Sequence, residues 1–223
     1  MAHPLWPLFD LRLQTARLEL RLPTDDDLRG LAATARAGIH PPAEMPFAVP
    51  WTDLPSPEFE RSFVQYHWAK RAEWKPERWV LNLAMFLDGA PIGSQTVEAA
   101  DFSTLRTVRT GSWLGMAWQG KGYGKEMREA VLALAFDGLG AEAAESGAFA
   151  DNPASAAVSM ALGYEPNGID RLAPRGEAKE LTRYRMTREQ WAGRSRAPTT
   201  ILGLEGCLEL FGAGTRPTER PAG

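Results

Sequence analysis

The chain has 223 residues with 44% apolar content, enough to bury one substantial core, and its net charge of −3 argues against a nucleic-acid-binding protein, which usually carries a basic face. No apolar run approaches the roughly 18 residues of a membrane-spanning helix, and the N-terminus lacks the basic and apolar regions of a signal peptide, so no membrane partner is expected. The single cysteine, Cys207, cannot form an internal disulfide, which favours a reducing compartment and a cytoplasmic protein.

The first predicted elements are one strand and one helix. Leucines alternate with other residues over Leu11–Arg21, which predicts a strand. Thr24 has the residue type of a helix N-cap, and three aspartates at positions 25–27 suit the first turn. We expect this helix to run to about Arg36.

A proline-rich loop and a second helix follow. Residues 38–57 form a loop of unusual length, which either lies beside a substrate site or covers the hydrophobic core. Ser56-Pro57 is typical of a helix start, with a capping residue before a first-turn proline. Four side chains on one face predict a buried stripe, with Trp74 near the helix end: Phe59, Phe63, Tyr66 and His67.

The middle of the chain predicts a hairpin, a loop and a central strand. Asp88-Gly89 is a strong hairpin turn between strands at 79–87 and 91–101. After a loop over 102–106, the short apolar segment 111–117 predicts a buried strand. Apolar residues at helical spacing then predict a helix over 125–137.

The turn between that strand and that helix holds three glycines, in the segment Gln119–Gly124. Such a turn leaves backbone N–H groups without internal partners in front of a helix, where the helix dipole adds partial positive charge. Glycines let phosphates approach the backbone closely, and Lys121 and Lys125 add full charges. The turn is therefore a candidate anion site.

Spacing separates the phosphate-binding motifs that could claim this turn. A P-loop needs Ser or Thr after the GK pair, and Gly122 stands there. A dinucleotide fingerprint needs glycine at the sixth position, which Lys125 occupies. What remains is Q-x-x-G-x-G, or a glycine-rich turn without a ligand.

The C-terminal third predicts a strand at 143–150, a helix begun by Asn152 and Pro153 and ended by Gly163, and a hairpin of strands 164–172 and 179–186. Thr187-x-x-Gln190 is a capping box for a last short helix. We therefore expect one domain over residues 1–192 and a C-terminal extension over 193–223. The extension contains an apolar patch at 201–211 and is either an appendage or a contact in a homo-oligomer.

The Q-x-x-G-x-G segment resembles the acyl-CoA pyrophosphate loop of the GCN5-related N-acetyltransferase (GNAT) superfamily. The segment Thr15–Arg21, followed by Asp27, resembles the RimJ/RimL branch of that superfamily. The resemblance covers about residues 10–190. It implies an α/β (α+β) fold with a strongly twisted mixed sheet of about seven strands, splayed central strands and about four flanking helices.

A second motif resembles the same superfamily. Asn152, Ser155 and Ser159 share one helix face by their spacing, and Asn152-Pro153-Ala154-Ser155 before Gly163-Tyr164 is similar to the GNAT pattern N-x-x-[A/S]…G-[F/Y]. The resemblance implies that Asn152 hydrogen-bonds the pantetheine arm. The usual tyrosine acid falls at Ser159, so the tyrosine is missing here. Ser155 matches the serine that the RimL-like branch places near the thiol, and the resemblance therefore implies Ser155 as the proton donor to the thiolate. Alternatively, Asn152 only caps its helix and Ser155 is an ordinary first-turn residue.

The resemblance also implies how the donor binds. The edge of the central strand at Trp113 and Leu114 would supply backbone groups to the thioester and pantetheine. The backbone of the loop would hold the pyrophosphate. The expected donor-binding residues are Trp113, Leu114, Gln119, Gly120, Lys121, Gly122, Tyr123, Gly124, Lys125, Asn152 and Ser155.

The general base stays open. Positions where relatives carry a glutamate read Arg109 and Gly147 here. The remaining candidates are Glu98, Asp101, His40 and His67, or a water molecule held by the backbone.

The runs Met45–Trp51 and Asp151–Ser155 are similar to a RimL-like subgroup reported to use succinyl-CoA. We therefore expect acetyl-CoA or succinyl-CoA as donor, a peptide, protein or small-molecule amine as acceptor, and no metal. An acetyl group needs a small apolar pocket, whereas a succinyl carboxylate needs a cation or several hydrogen-bond donors. The alternatives are an acyl-CoA-binding sensor that does not catalyse and an unrelated nucleotide-binding domain.

Overall fold

The structure is a computed structural model that describes residue 3 and residues 5–214. These residues form the expected α/β fold, with one mixed sheet. The strands are β1 (Arg12–Gln14), β2 (Glu19–Arg21), β3 (Arg78–Leu87), β4 (Ala90–Ala100), β5 (Thr107–Leu114), β6 (Ala143–Phe149), β7 (Glu165–Leu172), β8 (Lys179–Thr187) and β9 (Thr200–Leu202). The helices are α1 (Asp25–Arg36), α2 (Glu58–Ala72), α3 (Phe102–Leu105), α4 (Tyr123–Ala133), α5 (Pro153–Ala161) and α6 (Arg188–Ala192).

The order across the sheet is β7-β8-β6-β5-β4-β3-β2-β1-β9, with β5 and β6 parallel and the other described neighbours antiparallel. Alternate side chains of β3 enter two hydrophobic clusters on opposite faces. The larger cluster includes α4, and the smaller one includes α1 and α2. The sheet has nine strands where about seven were expected, and two of the six helices are a single turn.

One extra strand arises because the segment expected as a single strand, Leu11–Arg21, is a hairpin of β1 and β2. The Thr15 N–H donates to the Leu18 carbonyl at 3.0 Å across the turn. The buried leucines change from odd positions (Leu11, Leu13) to even ones (Leu18, Leu20). An unbroken strand would have kept the same parity, because its side chains alternate between two faces.

The first two helices begin by different means. Thr24 caps α1 as predicted, accepting from the Asp27 N–H while the Asp27 carboxylate accepts from the Thr24 N–H. The expected N-cap of α2, Ser56, is wrong by one residue, because Pro57 occupies that position without a side-chain bond. Ser56 instead donates its hydroxyl to the Glu60 carboxylate at 2.6 Å.

The central strand and its helix are shifted from their expected bounds. β5 starts at Thr107 and ends at Leu114, since residues 116–118 form a single 3-10 turn. The helix α4 begins earlier than expected, at Tyr123, and its last turn, 134–138, is a π-helical turn. The expected loop at 102–106 contains the one-turn helix α3.

The C-terminal elements follow the prediction closely. Asn152 caps α5, and Thr187 and Gln190 form the capping box of α6. The hairpin of β7 and β8 turns through residues 174–176. Local capping residues and turn residues determine these boundaries, which is why the sequence predicts them.

The described part of the C-terminal extension packs against the rest of the fold. Its strand β9 pairs with β1, and Phe211 is fully buried against Trp79 and Trp74. Cys207 is also fully buried, and burial raises the pKa of its thiol to about 11. Residues 215–223 of the extension lie outside the described residues. None of the helices in the described residues has the length and apolar character that crossing a membrane requires.

Candidate functional site

A cleft opens where the two parallel strands separate. β5 and β6 pair only from Thr107–Arg109 to Ala143–Glu145, and both strands continue beyond this region without pairing to each other. The expected splay of the central strands is therefore present. The cleft has a volume of about 760 Å³ and is bordered by the separated strands, the first turns of α4 and α5, and the loop at 38–57.

The glycine loop meets this cleft at its two ends, Gln119 and Gly124, which line it. Gly120 and Gly122 have φ values of +72° and +82°, in the left-handed region that glycine adopts readily. α4 starts directly after Gly122. The N–H groups of residues 120–125 donate to no other described residue. With the helix dipole behind them, these N–H groups form an anion site, and an added Cβ at Gly120 would meet open space.

The side chain of Gln119 anchors the loop. Its Nε2 donates to the Ile39 carbonyl at 2.7 Å and to the Leu114 carbonyl at 2.9 Å. These two bonds join the end of β5 to the segment after α1. The Gln119 amide donors are therefore used in positioning the loop.

The sequence analysis did not predict the hydrogen bonds that Thr15 and Arg17 make to Glu126 in the first turn of α4. The Glu126 carboxylate accepts from Thr15 Oγ1 at 2.6 Å and from Arg17 Nε at 2.7 Å. The Arg17 guanidinium also donates to the Lys121 carbonyl at 3.3 Å and lies 4.5 Å from the centre of the Tyr123 ring. The turn between β1 and β2 thus holds the glycine loop, and Arg17 joins Lys121 and Lys125 as a third cation there.

The end of β5 forms one border of the cleft. Trp113 and Leu114 both line it. The Trp113 ring also packs against Trp51 and Phe63, at centroid distances of 6.0 and 6.3 Å. Beyond Arg109, β5 has no strand partner on its β6 side in the described sheet.

Asn152 and Ser155 line the cleft at the start of α5. Asn152 Oδ1 accepts from the Ser155 N–H at 3.2 Å, so the residue is an N-cap. The described residues provide no partner for the Asn152 Nδ2 or for the Ser155 hydroxyl. Ser159, one turn further along, is fully buried and lies 3.5 Å from the Ser146 hydroxyl.

The candidate bases differ in their position relative to the cleft. His40 lines the cleft, whereas Glu98, Asp101 and His67 do not. His67 is a buried residue of α2, where desolvation and then the nearby Arg71 lower its pKa to about 4. His40 Nδ1 lies 2.9 Å from the Pro41 carbonyl and Nε2 lies 2.9 Å from Thr52 Oγ1. Because a carbonyl only accepts, Nδ1 carries the proton and the Nε2 lone pair faces the hydroxyl.

The two positions without a glutamate, Arg109 and Gly147, have different surroundings. A Cβ at Gly147 would stand 2.7 Å from Leu181 Cδ2, so the leucine on β8 occupies the space of a larger side chain. Arg109 lies 3.8 Å from the Glu145 carboxylate, which Arg185 also binds at 2.9 Å.

A buried arginine, Arg128, was not singled out in the sequence. It is 2% exposed and lines the cleft. Its guanidinium donates to Ser146 Oγ at 2.9 Å, to Ser112 Oγ at 3.1 Å and to Gln95 Oε1 at 3.4 Å. Helical spacing from Gly124 to Arg128 and Val131 places it on the inward face of α4 and could have revealed it.

Residues 17–165, more than half of the chain, match the family model described as an acetyltransferase (GNAT) domain. Among solved structures, the chain is similar to RimJ of Mycobacterium smegmatis in complex with CoA-disulfide, with a TM-score of 0.68 and 19% identity over 85% of this chain and 92% of that chain. A Vibrio cholerae protein described as a putative ribosomal-protein-serine acetyltransferase has a TM-score of 0.62 and 22% identity, over 79% of this chain and 97% of that chain. A spermidine N-acetyltransferase SpeG chimera from Vibrio cholerae and hSSAT has a TM-score of 0.61 and 16% identity, over 80% of this chain and 100% of that chain. At these identities the likenesses show a shared fold.

Proposed function

The chain belongs to the GNAT family of acetyltransferases, and on that premise we propose that it transfers an acetyl or succinyl group from coenzyme A to a primary amine. Family membership makes it an acyl-CoA-dependent enzyme.

The observation that carries the proposal is the row of unpaired N–H groups at the end of the cleft. The N–H groups of residues 120–125 are available to the coenzyme A diphosphate, and three cations (Arg17, Lys121 and Lys125) lie nearby. From there the pantetheine arm follows the unpaired edge of β5 at Trp113 and Leu114. Its thioester end then reaches the start of α5, where the Asn152 amide is free to donate to the arm.

The reaction is a direct acyl transfer. The amine nitrogen attacks the thioester carbonyl carbon, the new C–N bond forms and the C–S bond breaks. The amine loses one proton to a base, and the departing thiolate takes one proton from the Ser155 hydroxyl. The products are an amide and free coenzyme A, and the proton held by the base returns to Ser155 through solvent.

His40 is the proposed base. Of the four titratable candidates from the sequence, it is the one that lines the cleft. Its neutral form has Nε2 as the basic atom, 2.9 Å from the Thr52 hydroxyl. The amine proton reaches Nε2 directly or through that hydroxyl.

The acceptor is a primary amine on a protein N-terminus, a lysine or a small molecule. The resemblance of the segment Thr15–Arg21 supports placement in the RimJ/RimL branch. In the structure, Thr15 and Arg17 of this segment hold the glycine loop through Glu126. The aromatic residues Phe47, Trp51 and Trp113 lie together beside the cleft and are available to the body of an acceptor.

The role of Ser155 is tested by thiol release from acetyl-CoA and succinyl-CoA with a panel of amines and peptides. We expect Ser155→Ala to lower kcat about 100-fold with little change in the KM for the donor, because general acid catalysis contributes roughly that factor. Ser103→Ala, an exposed serine on α3, is the matched control and should behave as the wild type.

Two results would contradict parts of the proposal. Equal rates for Ser155→Ala and wild type would remove the serine as proton donor. Calorimetric binding of both thioesters without thiol release on any amine would instead favour the sensor, which the burial of Ser159 at the family's tyrosine position makes a reasonable second candidate.

A further inference from the structure

We propose that Arg128 selects the acyl group by binding a carboxylate at its far end, so that the donor is the coenzyme A thioester of a dicarboxylic acid such as succinate. This inference rests on the proposed transferase function and narrows its substrate class. Its basis is a guanidinium buried at the cleft without an anionic partner.

Burial makes this charge unusual. Arg128 is 2% exposed, and its side chain donates to two serine hydroxyls and one glutamine amide oxygen. The Tyr164 hydroxyl is its fourth neutral neighbour. None of the ion pairs in the described part of the chain includes Arg128. A buried charge without a counter-charge is costly, so it is expected to have a ligand or a structural purpose.

The position of the guanidinium connects it to the donor. Ser112 lies on β5 and Ser146 on β6, so the arginine bridges the two strands where they have already separated. Both serines and Arg128 line the same cleft as Asn152 and Ser155. The acyl end of a thioester bound along β5 would therefore approach this group.

The chemistry of the three side chains fits a carboxylate. A planar guanidinium can bind both carboxylate oxygens, and the hydroxyls of Ser112 and Ser146 can donate while still accepting from Arg128. Two acidic residues that line the cleft are paired with other cations, since Glu145 is held by Arg185 and Asp170 lies 3.5 Å from Arg183. A neutral acetyl group would leave the buried charge unpaired.

The alternative is that Arg128 only braces the separated strands. A bracing residue would affect all donors alike, whereas a carboxylate-binding residue distinguishes donors by charge. Butyryl-CoA matches the chain length of succinyl-CoA and lacks the carboxylate, so the ratio of kcat/KM for these two donors isolates the charge. Acetyl-CoA reports the basal reaction.

The experiment measures kcat/KM for all three donors with one accepted amine, and donor Kd by calorimetry without amine. We expect the wild type to prefer succinyl-CoA over butyryl-CoA by about 100-fold, in line with a desolvated charge-assisted pair. Arg128→Met should abolish the preference, and Arg128→Lys should keep about a tenfold preference because it retains charge without the planar fork. Arg71→Met, a half-buried arginine outside the cleft, should keep the wild-type ratio.

Folding does not confound the test, because the ratio of donors is taken within one variant and the Kd values are measured on folded protein verified by circular dichroism. A wild type that prefers acetyl-CoA or butyryl-CoA would overturn the role of Arg128 and leave the transferase function standing. An unchanged ratio in Arg128→Met would do the same. A wild type that neither binds nor consumes any of the three donors would overturn the proposed function itself.

Discussion

At the scale of single residues, the burial of His67 makes the stability of the fold depend on pH. Its ring lies 5.0 Å from Phe63 and 5.6 Å from Tyr66, and Arg71 is the charged group that acts on it. Burial favours the neutral ring, which lowers its pKa from 6.5 to about 4. Since the unfolded chain binds this proton more readily, the stability gained from neutral His67 is complete above about pH 6.5 and is lost as the pH falls towards 4.

We expect His67→Leu to unfold with a weaker pH dependence than the wild type. Between pH 7.5 and pH 5 the histidine should cost the wild type roughly 2 kcal/mol of unfolding free energy, which the leucine variant does not lose. Urea unfolding at the two pH values measures both losses. Equal losses in the two proteins would show that His67 does not carry this dependence.

The same scale shows where residue roles could be predicted. The N-caps Thr24, Asn152 and Thr187 were found in the sequence because capping depends on residues three positions apart. The surroundings of Arg128 could not be found in this way, since its partners Gln95, Ser112 and Ser146 come from three different strands. Only the pairing of those strands brings them together.

At the scale of elements, the start of α4 depends on glycines that hold left-handed conformations. Gly122 has φ +82° directly before the helix, and Gly89 has φ +79° in the hairpin turn of β3 and β4. An alanine at either position should cost about 1 kcal/mol of stability, because a side chain disfavours this conformation.

The two glycines therefore form a matched pair. We expect Gly122→Ala to weaken coenzyme A binding about tenfold, since its strain disturbs the N–H groups proposed to hold the diphosphate, with tenfold equal to about 1.4 kcal/mol. Gly89→Ala should lose similar stability and keep the wild-type Kd. Calorimetry and thermal unfolding on both variants test this, and equal Kd values for the two would argue against the loop as the diphosphate site.

Element boundaries were predicted correctly where local turn and capping residues set them. The predictions were wrong where pairing between strands set the boundary. The hairpin at Asp88-Gly89 was predicted because the turn residues alone favour it. The division of 11–21 into two strands was missed although the leucine parity changes there. β9 was missed because three residues carry too little pattern, and its partner β1 lies at the other end of the chain.

At the scale of the whole molecule, an ion pair joins the loop at 38–57 to the turn between β7 and β8. Arg175, in the turn between β7 and β8, donates to both carboxylate oxygens of Asp53 at 2.7 and 2.6 Å. The Arg175 guanidinium also holds the pKa of Asp53 below its ordinary value. Residues of this loop line the cleft. Its Trp51 also covers the α2 aromatic residues Phe59 and Phe63.

We expect Arg175→Ala to raise the KM for the acceptor amine about fivefold and to leave the KM for the donor unchanged, since the loop borders the side proposed for the amine. Stability should change little, because both side chains are partly exposed. Arg171→Ala, an exposed arginine on β7, serves as the control. A larger effect on the donor than on the acceptor would contradict the assignment of the loop to the acceptor side.

Cys207 has a practical consequence for the assays of thiol release. The protein's sole sulfhydryl is fully buried, and a pKa of about 11 keeps it almost entirely un-ionised near neutral pH. Chromogenic disulfide reagents should therefore register liberated coenzyme A with negligible background from the native enzyme. The same cysteine becomes alkylatable once residues 200–211 detach from β1 and Trp79. The rate of its covalent labelling therefore measures how often the C-terminal extension opens.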